Sequence, residues 1–193
     1  MYGSFKEFTQ GKLTISAGIG IYPEKYPVSA MAKETGKLED KSKEFGYKEE
    51  DGTYQKNAVT LFDKDNTYSW EVFIKDVLGE KYNVIKEFFN SSFDEQSGYG
   101  KSFLYRLLEL MKDSGEKINL ARYAYLLARM APPKEKLKND SALEKRYKDF
   151  SQKMYNWIRD KEDCKQAITA IYIYIYTIRE QEDKKKGMIE DEQ

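Results

Sequence analysis

The sequence predicts an α+β protein that is mostly α, on three observations. Two short apolar segments in the first third of the chain alternate with the period of a pleated strand. A helix-patterned segment lies between them. After the second, apolar residues recur every three or four positions almost to the end.

Each element follows in order. Residues 5–10 read as a helix end, stopped by Gly11. Lys12-Leu-Thr-Ile-Ser-Ala-Gly-Ile-Gly-Ile-Tyr-Pro23 reads as the first strand, because Thr14, Ser16 and Gly18 alternate with Ile15, Ala17 and Ile19. Glycine weakens a strand unless another backbone or a ligand comes close, so Gly18 and Gly20 mark a close approach. Pro23 and Pro27 end the strand. Residues 28–45 read as a helix, with Ser29 as its cap and Met31, Leu38 and Phe45 at roughly helical intervals. Residues 46–55 are polar, carry two glycines and read as a mobile loop or hairpin. Lys56-Asn-Ala-Val-Thr-Leu-Phe62 is the second strand, and the charged turn Asp63-Lys-Asp-Asn66 marks a domain boundary.

Everything beyond that turn is helical in pattern. Trp70, Phe73, Ile74, Val77 and Leu78 form a stripe that Gly79 should stop. Tyr82, Ile85, Phe88 and Phe89 form a shorter one, and 91–100 read as a loop. Leu104, Leu107, Leu108 and Met111 follow, then an Ala/Leu/Tyr-rich helix over 118–131, closed by Pro132 and Pro133. Leu143, Tyr147, Phe150, Met154 and Trp157 step by four and three. The last segment carries two signals. Ile171-Tyr-Ile-Tyr-Ile-Tyr176 alternates like a strand, yet Cys164, Ile168, Ile171, Ile175 and Ile178 keep helical spacing. No Gly or Pro interrupts 161–181. Burying five such side chains contributes about 8–15 kcal/mol gross, against β-propensity differences of about 1 kcal/mol per position. Helix is therefore expected, with the tyrosines on its flanks. Residues 186–193 read as a disordered polar tail.

Composition removes several functional classes. Lys+Arg and Asp+Glu balance at 33 each, so net charge favours no nucleic-acid partner. Hydrophobic content of 40% is enough for a packed core. The chain has no histidine, which excludes Ser-His-Asp and Cys-His catalysis and every His-ligated metal site. The one cysteine, Cys164, forms no intrachain disulfide and reads as a buried thiol. No phosphate-loop or dinucleotide glycine motif is present. The acids at 49–51 and 190–192 are not spaced as a calcium loop, so no metal ligand is assigned. No run approaches membrane-span length and the first residues are no signal peptide, so a cytoplasmic protein is expected.

The string Thr14-Ile-Ser-Ala-Gly-Ile-Gly-Ile-Tyr-Pro23, then Pro27-Val-Ser-Ala-Met31, Lys41-Ser-Lys43-Glu-Phe-Gly46 and Lys56-Asn-Ala-Val-Thr-Leu-Phe62, resembles the last third of a nucleotide-cyclase-like (GGDEF-like) palm domain. The Tyr-Pro-Glu-Lys-Tyr-Pro wording at 22–27, the helices that follow and the run Leu120-Ala-Arg-Tyr-Ala-Tyr-Leu-Leu-Ala-Arg129 resemble the large subunit of type III-A, Csm-type, CRISPR–Cas effector complexes. The resemblance implies a strand–helix–strand remnant of a ferredoxin-like palm domain over 1–63, a helical bundle over 64–185 and a tail over 186–193. It implies an antiviral parent that makes cyclic oligoadenylates from ATP when target RNA binds, with Mg or Mn as its metal. In that family a Gly-Gly-Asp-Asp hairpin holds the metal. No Gly-Gly pair occurs here, so this chain is expected to be part of a longer protein and inactive alone.

The resemblance places Lys43 and Lys56 at the nucleotide phosphates. Opposite charges about 4 Å apart attract by about 4 kcal/mol at an effective dielectric near 20. The inserted residues 47–55 separate Gly46 from Lys56, and both lysines also fit a solvated surface. Ser16 and Gly18 border the nucleotide in this reading; the alternative is a plain strand under a packed helix. The bundle is expected to stack beside the complex's small subunit. Arg122 and Arg129 share a helix face and, with Lys134, Lys136 and Arg146, make a basic surface for that subunit, the guide–target RNA duplex or single-stranded DNA. The alternative is a solvated face with pairs such as Glu144–Lys148. Two other identities stay open: a stand-alone helical adaptor with a closed core and no exposed sheet edge, and a diguanylate-cyclase fragment. The palm reading expects Ile15, Ala17, Ile19, Val59 and Leu61 to back a sheet lacking its other strands.

Overall fold

The computed structural model describes residues 2–48, 54–92, 101–132 and 141–190. The chain divides into two compact units, Met1–Asp76 and Val77–Gln193, and it is α+β with helix predominating.

The first unit opens with α1 (Tyr2–Phe8), which ends where Gln10 and Gly11 take positive φ. The first strand is shorter than its sequence pattern: β1 is Ala17–Ile19. It leads into α2 (Val28–Glu44). Ser29 is not the cap of α2. Pro27 is, with no side-chain bond, and its carbonyl accepts from the amides of Ala30 and Met31. Two-residue strands β2 (Tyr47–Lys48) and β3 (Tyr54–Gln55) pair antiparallel, so the polar segment is a hairpin; 49–53 lie outside the described residues. β4 (Ala58–Leu61) pairs parallel with β1, Gly18 opposite Thr60. This is the expected strand–helix–strand unit, since a parallel pair needs a crossover.

The turn after Leu61 does not end the sheet. It returns the chain as β5 (Thr67–Ser69), antiparallel to β4, with the Thr60 and Thr67 hydroxyls 3.0 Å apart. The sequence pattern predicts only helix beyond the turn 63–66. Three residues are too few to show a period, which is why β5 left no signal. The sheet order is β1-β4-β5. All four residues of central β4 are buried, and α2 packs across the sheet. β1 is an edge. Val59 and Leu61 are buried, Ile15 and Ala17 are half-buried, and Ile19 is 39% exposed. The exposed edge departs from what a closed adaptor requires.

Ser69 caps a helical run by accepting from the amide of Val72. The run comprises α3 (Trp70–Val72), a π-helical stretch (Phe73–Tyr82) and α4 (Asn83–Ser92). Gly79 therefore does not stop it. A glycine inside a helix costs only about 1 kcal/mol, and Val77 and Ile85 on either side are fully buried.

In the second unit, α4 is followed by α5 (Lys101–Lys112), α6 (Lys117–Arg129), α7 (Ser141–Arg159) and α8 (Lys161–Glu190). The loop expected over 91–100 and the basic stretch 133–140 fall largely or wholly outside the described residues. Phe150 of α7 stacks on Phe88 of α4 at 3.8 Å and meets Phe89 edge-on at 5.8 Å. Tyr123 of α6 is fully buried and donates to the Met154 carbonyl at 3.2 Å. The alternating Ile/Tyr segment is helical, as packing energy required, with Cys164, Ile171 and Ile175 inside. One tyrosine departs from the flank: Tyr174 is buried and donates to Asn90 at 3.2 Å. The α8 backbone stays helical through Glu190, beyond where a disordered tail was expected to begin, and 191–193 lie outside the described residues.

Among the described residues of this unit, Lys81 is the buried charge. Its ammonium lies 2.8 Å from Glu80, 2.8 Å from Asp163 and 5.6 Å from the Trp157 ring centre. Burial pulls its pKa down, but the hydrogen bonds to Asp163 and Glu80 outweigh burial and the net direction is up.

Candidate nucleotide site and helical contact surface

The parallel β1–β4 pair starts at one end of the sheet, and α2 returns the chain to that same end. This brings Lys43, in the last turn of α2, to the sheet end that Ser16 and Lys56 reach just before β1 and β4. Ser16 donates its hydroxyl proton to the Lys56 carbonyl. Lys43, in the last turn of α2, is exposed and sits 2.7 Å from Glu39, one turn back; that hydrogen bond raises its pKa. Lys56 is exposed.

Gly18 does something different. A Cβ there would stand 2.4 Å from the Glu39 amide nitrogen and 2.7 Å from the Thr35 carbonyl oxygen. The close approach it permits is by the α2 backbone, which accounts for its missing side chain without a ligand.

Beside this edge lies a cavity of about 850 Å³. Thr14, Phe45 and Asn57 line it, chain neighbours of Ser16, Lys43 and Lys56, together with Tyr2, Lys6 and Lys75. The amide nitrogen of Asn57 donates to the Tyr2 hydroxyl at 2.9 Å, while its Oδ1 is buried with no partner. Tyr2 stacks on Trp70 at 4.9 Å, and Trp70 donates to the Ile15 carbonyl at 2.8 Å. The cavity thus offers the ammonium groups of Lys6 and Lys75, hydroxyls and the Glu71 carboxylate. No sequence motif links Lys6, Asn57 and Lys75; only folding gathers them. Among the described residues, no three His, Cys, Asp or Glu side chains gather to hold a metal.

In the second unit, Arg122 and Arg129 share a face of α6, as their spacing predicts. They line a groove of about 700 Å³ with Arg106 and Glu109 of α5 and with Asp113 and Glu116 of the connection between the two helices. Arg122 donates to Asn119 at 3.4 Å, and Arg129 lies 5.9 Å from the Tyr125 ring centre. Arg146 is exposed on α7 and does not line this groove. Lys134 and Lys136 lie outside the described residues. Glu144 and Lys148 pair at 2.6 Å.

The order of palm-like unit and helical unit matches two family models. Residues 1–52 match the second palm domain of Cas10/Cmr2. Residues 86–180 match the second helical domain of the CRISPR RNA silencing complex Cmr2 subunit. Three relatives carry the name CRISPR system single-strand-specific deoxyribonuclease Cas10/Csm1 (subtype III-A). The protein from Mycobacterium tuberculosis is 39% identical over 180 residues, which is 93% of this chain and 20% of the relative. Those from Streptococcus thermophilus and Enterococcus italicus are 37% and 38% identical over 91% and 92% of this chain.

The chain belongs to the Cas10/Csm1 family. It spans about a fifth of the length of these Cas10/Csm1 relatives. The Cas10 palm match contains Ser16, Gly18 and Lys43, and the helical match contains every arginine of the α5–α6 groove. No helix among the described residues is long and apolar enough to cross a membrane.

Proposed function

We propose that this chain contributes the nucleotide side of a palm domain, and a helical assembly domain, to the large subunit of a type III-A effector complex. In this reading the whole subunit makes cyclic oligoadenylates from ATP when target RNA is bound, and the single-strand deoxyribonuclease activity that names its relatives resides elsewhere in that subunit. The observation that carries the reading is the Ser16–Lys56 hydrogen bond at the sheet end to which α2 returns Lys43, with a polar cavity lined by their chain neighbours. Lys43 and Lys56 hold the phosphates as ammonium groups, and Ser16 fixes the Lys56 backbone. Catalytic metal belongs to parts of the subunit outside the described residues.

The α5–α6 groove supports a protein partner. Its arginines alternate with Glu109, Asp113 and Glu116. A phosphate backbone would be repelled by those acids, whereas a subunit surface of mixed charge complements both signs. The small subunit of the complex is the proposed occupant.

ATP turnover by the complete large subunit in its assembled complex tests the palm reading. Lys43→Ala and Lys56→Ala should each raise KM for ATP about tenfold, as loss of one charge-assisted contact requires. An unchanged KM for both overturns the assignment. This chain alone, given ATP with Mg or Mn, should form no oligoadenylate; product formation would refute the division of labour.

A further inference from the structure

The chain holds sixteen tyrosines, and the core absorbs only some of them. Others gather on a surface of the second unit where α5 meets α8. On α8, Tyr172, Tyr176 and Arg179 follow at spacings of four and three, which puts them on one face. On α5, Tyr105 and Lys112 are seven apart and also share a face. The two faces interleave. The Lys112 ammonium lies 5.2 Å from the Tyr172 ring centre. The Arg179 guanidinium lies 5.8 Å from the ring centres of both Tyr105 and Tyr176, and it donates to the Tyr105 hydroxyl. Tyr105 is 39% exposed, Tyr172 and Tyr176 are half-buried, and Lys112 and Arg179 are exposed.

We propose that this ladder of three rings and two cations is a binding surface for single-stranded nucleic acid. Unpaired bases stack on tyrosine faces and on guanidinium planes, while cations along the same line meet the phosphates. A duplex keeps its base faces covered and gains nothing from the rings. Glu109, one turn on from Tyr105, borders this surface and also lines the α5–α6 groove. The surface lies wholly within the second unit and stands independently of the palm reading.

Fluorescence anisotropy of the full 193-residue chain with labelled oligouridylate and oligothymidylate tests it. Both oligomers are expected to bind, more weakly as salt rises, and a mixed-sequence duplex is expected to bind at least about tenfold more weakly. Tyr105→Ala and Arg179→Gln should each weaken binding about fivefold to a hundredfold, while Tyr105→Phe, which keeps the ring, should bind as the unaltered chain does. Preference for the uridylate identifies RNA as the source of the strand and preference for the thymidylate identifies DNA; either supports the surface. Circular dichroism shows which variants are folded, and Arg179→Gln serves if Tyr105→Ala is not. Unchanged binding by a folded variant overturns the proposal, and so does failure of the unaltered chain to bind either oligomer.

Discussion

Ser16 donates its hydroxyl proton to the main-chain carbonyl of Lys56, forty residues further on. The bond joins the chain just before β1 to the chain just before β4, ahead of their ladder. Ser16→Ala should lower stability by about 1 kcal/mol, the net worth of one such bond. Urea denaturation would read this as a lower midpoint with an unchanged slope. An unchanged midpoint would mean that the bond does not hold in solution.

Gly18 lies beneath α2 with no room for a methyl group. The obstructing atoms are backbone, which cannot swing aside. Gly18→Ala should therefore destabilise the first unit by about 1–3 kcal/mol, the range for forcing an extra carbon into a packed region. Gly36→Ala is the control, because a Cβ there meets nothing within 4 Å; it should be neutral or stabilising. Equal effects of the two, read by thermal unfolding, would contradict the packing of α2 on β1.

Lys81 and Asp163 are unequal partners. The Lys81 side chain is 4% exposed and that of Asp163 is 41% exposed. Removing the carboxylate leaves a buried ammonium with Glu80 alone. Removing the ammonium leaves carboxylates that water can reach. Asp163→Ala should thus cost about 1.5–3 kcal/mol, as for a hydrogen bond to a charged group. Lys81→Met, which keeps the stem beside Trp157, should cost less than about 1 kcal/mol. Chemical denaturation that ranks the two variants the other way would refute this account.

Burial, and secondarily the neighbouring Tyr82, pushes the Tyr174 phenol from 10.0 up to about 12. A phenol held protonated in the folded state stabilises it fully below the unfolded value, and that contribution disappears as pH rises from 10 to 12. The unaltered protein should lose stability faster over this window than Tyr174→Phe does. Parallel curves of midpoint against pH would show that Tyr174 ionises as readily folded as unfolded.

The helical spacing of Phe150, Met154 and Trp157 was legible because long amphipathic patterns repeat often enough to be read. The buried Ile171 and Ile175 were legible for the same reason, once packing was weighed against β-propensity. β5 was not legible, since its three residues are defined by pairing with β4 rather than by period. Gly79 misled because a glycine penalty is small against the burial of Val77 and Ile85. Tyr174 misled because a strand-like alternation cannot say which tyrosine of a helix turns inward.

The candidate sites divide the same way. Lys43 could be singled out from its motif and Arg122 with Arg129 from their seven-residue spacing. Lys6, Asn57 and Lys75 around the cavity could not, nor could Tyr105 beside Arg179, 74 positions away. By itself, the order of residues determined the fold class, the parallel strand–helix–strand unit, the helical character of the Ile/Tyr segment and the absence of histidine chemistry, because each is a matter of local periodicity or composition. Tertiary structure alone decided that Gly18 makes room for a helix, that Lys81 is neutralised in the core and that tyrosines from α5 and α8 share their cations. Those outcomes depend on which distant surfaces meet, and contact across many residues leaves no trace in local spacing.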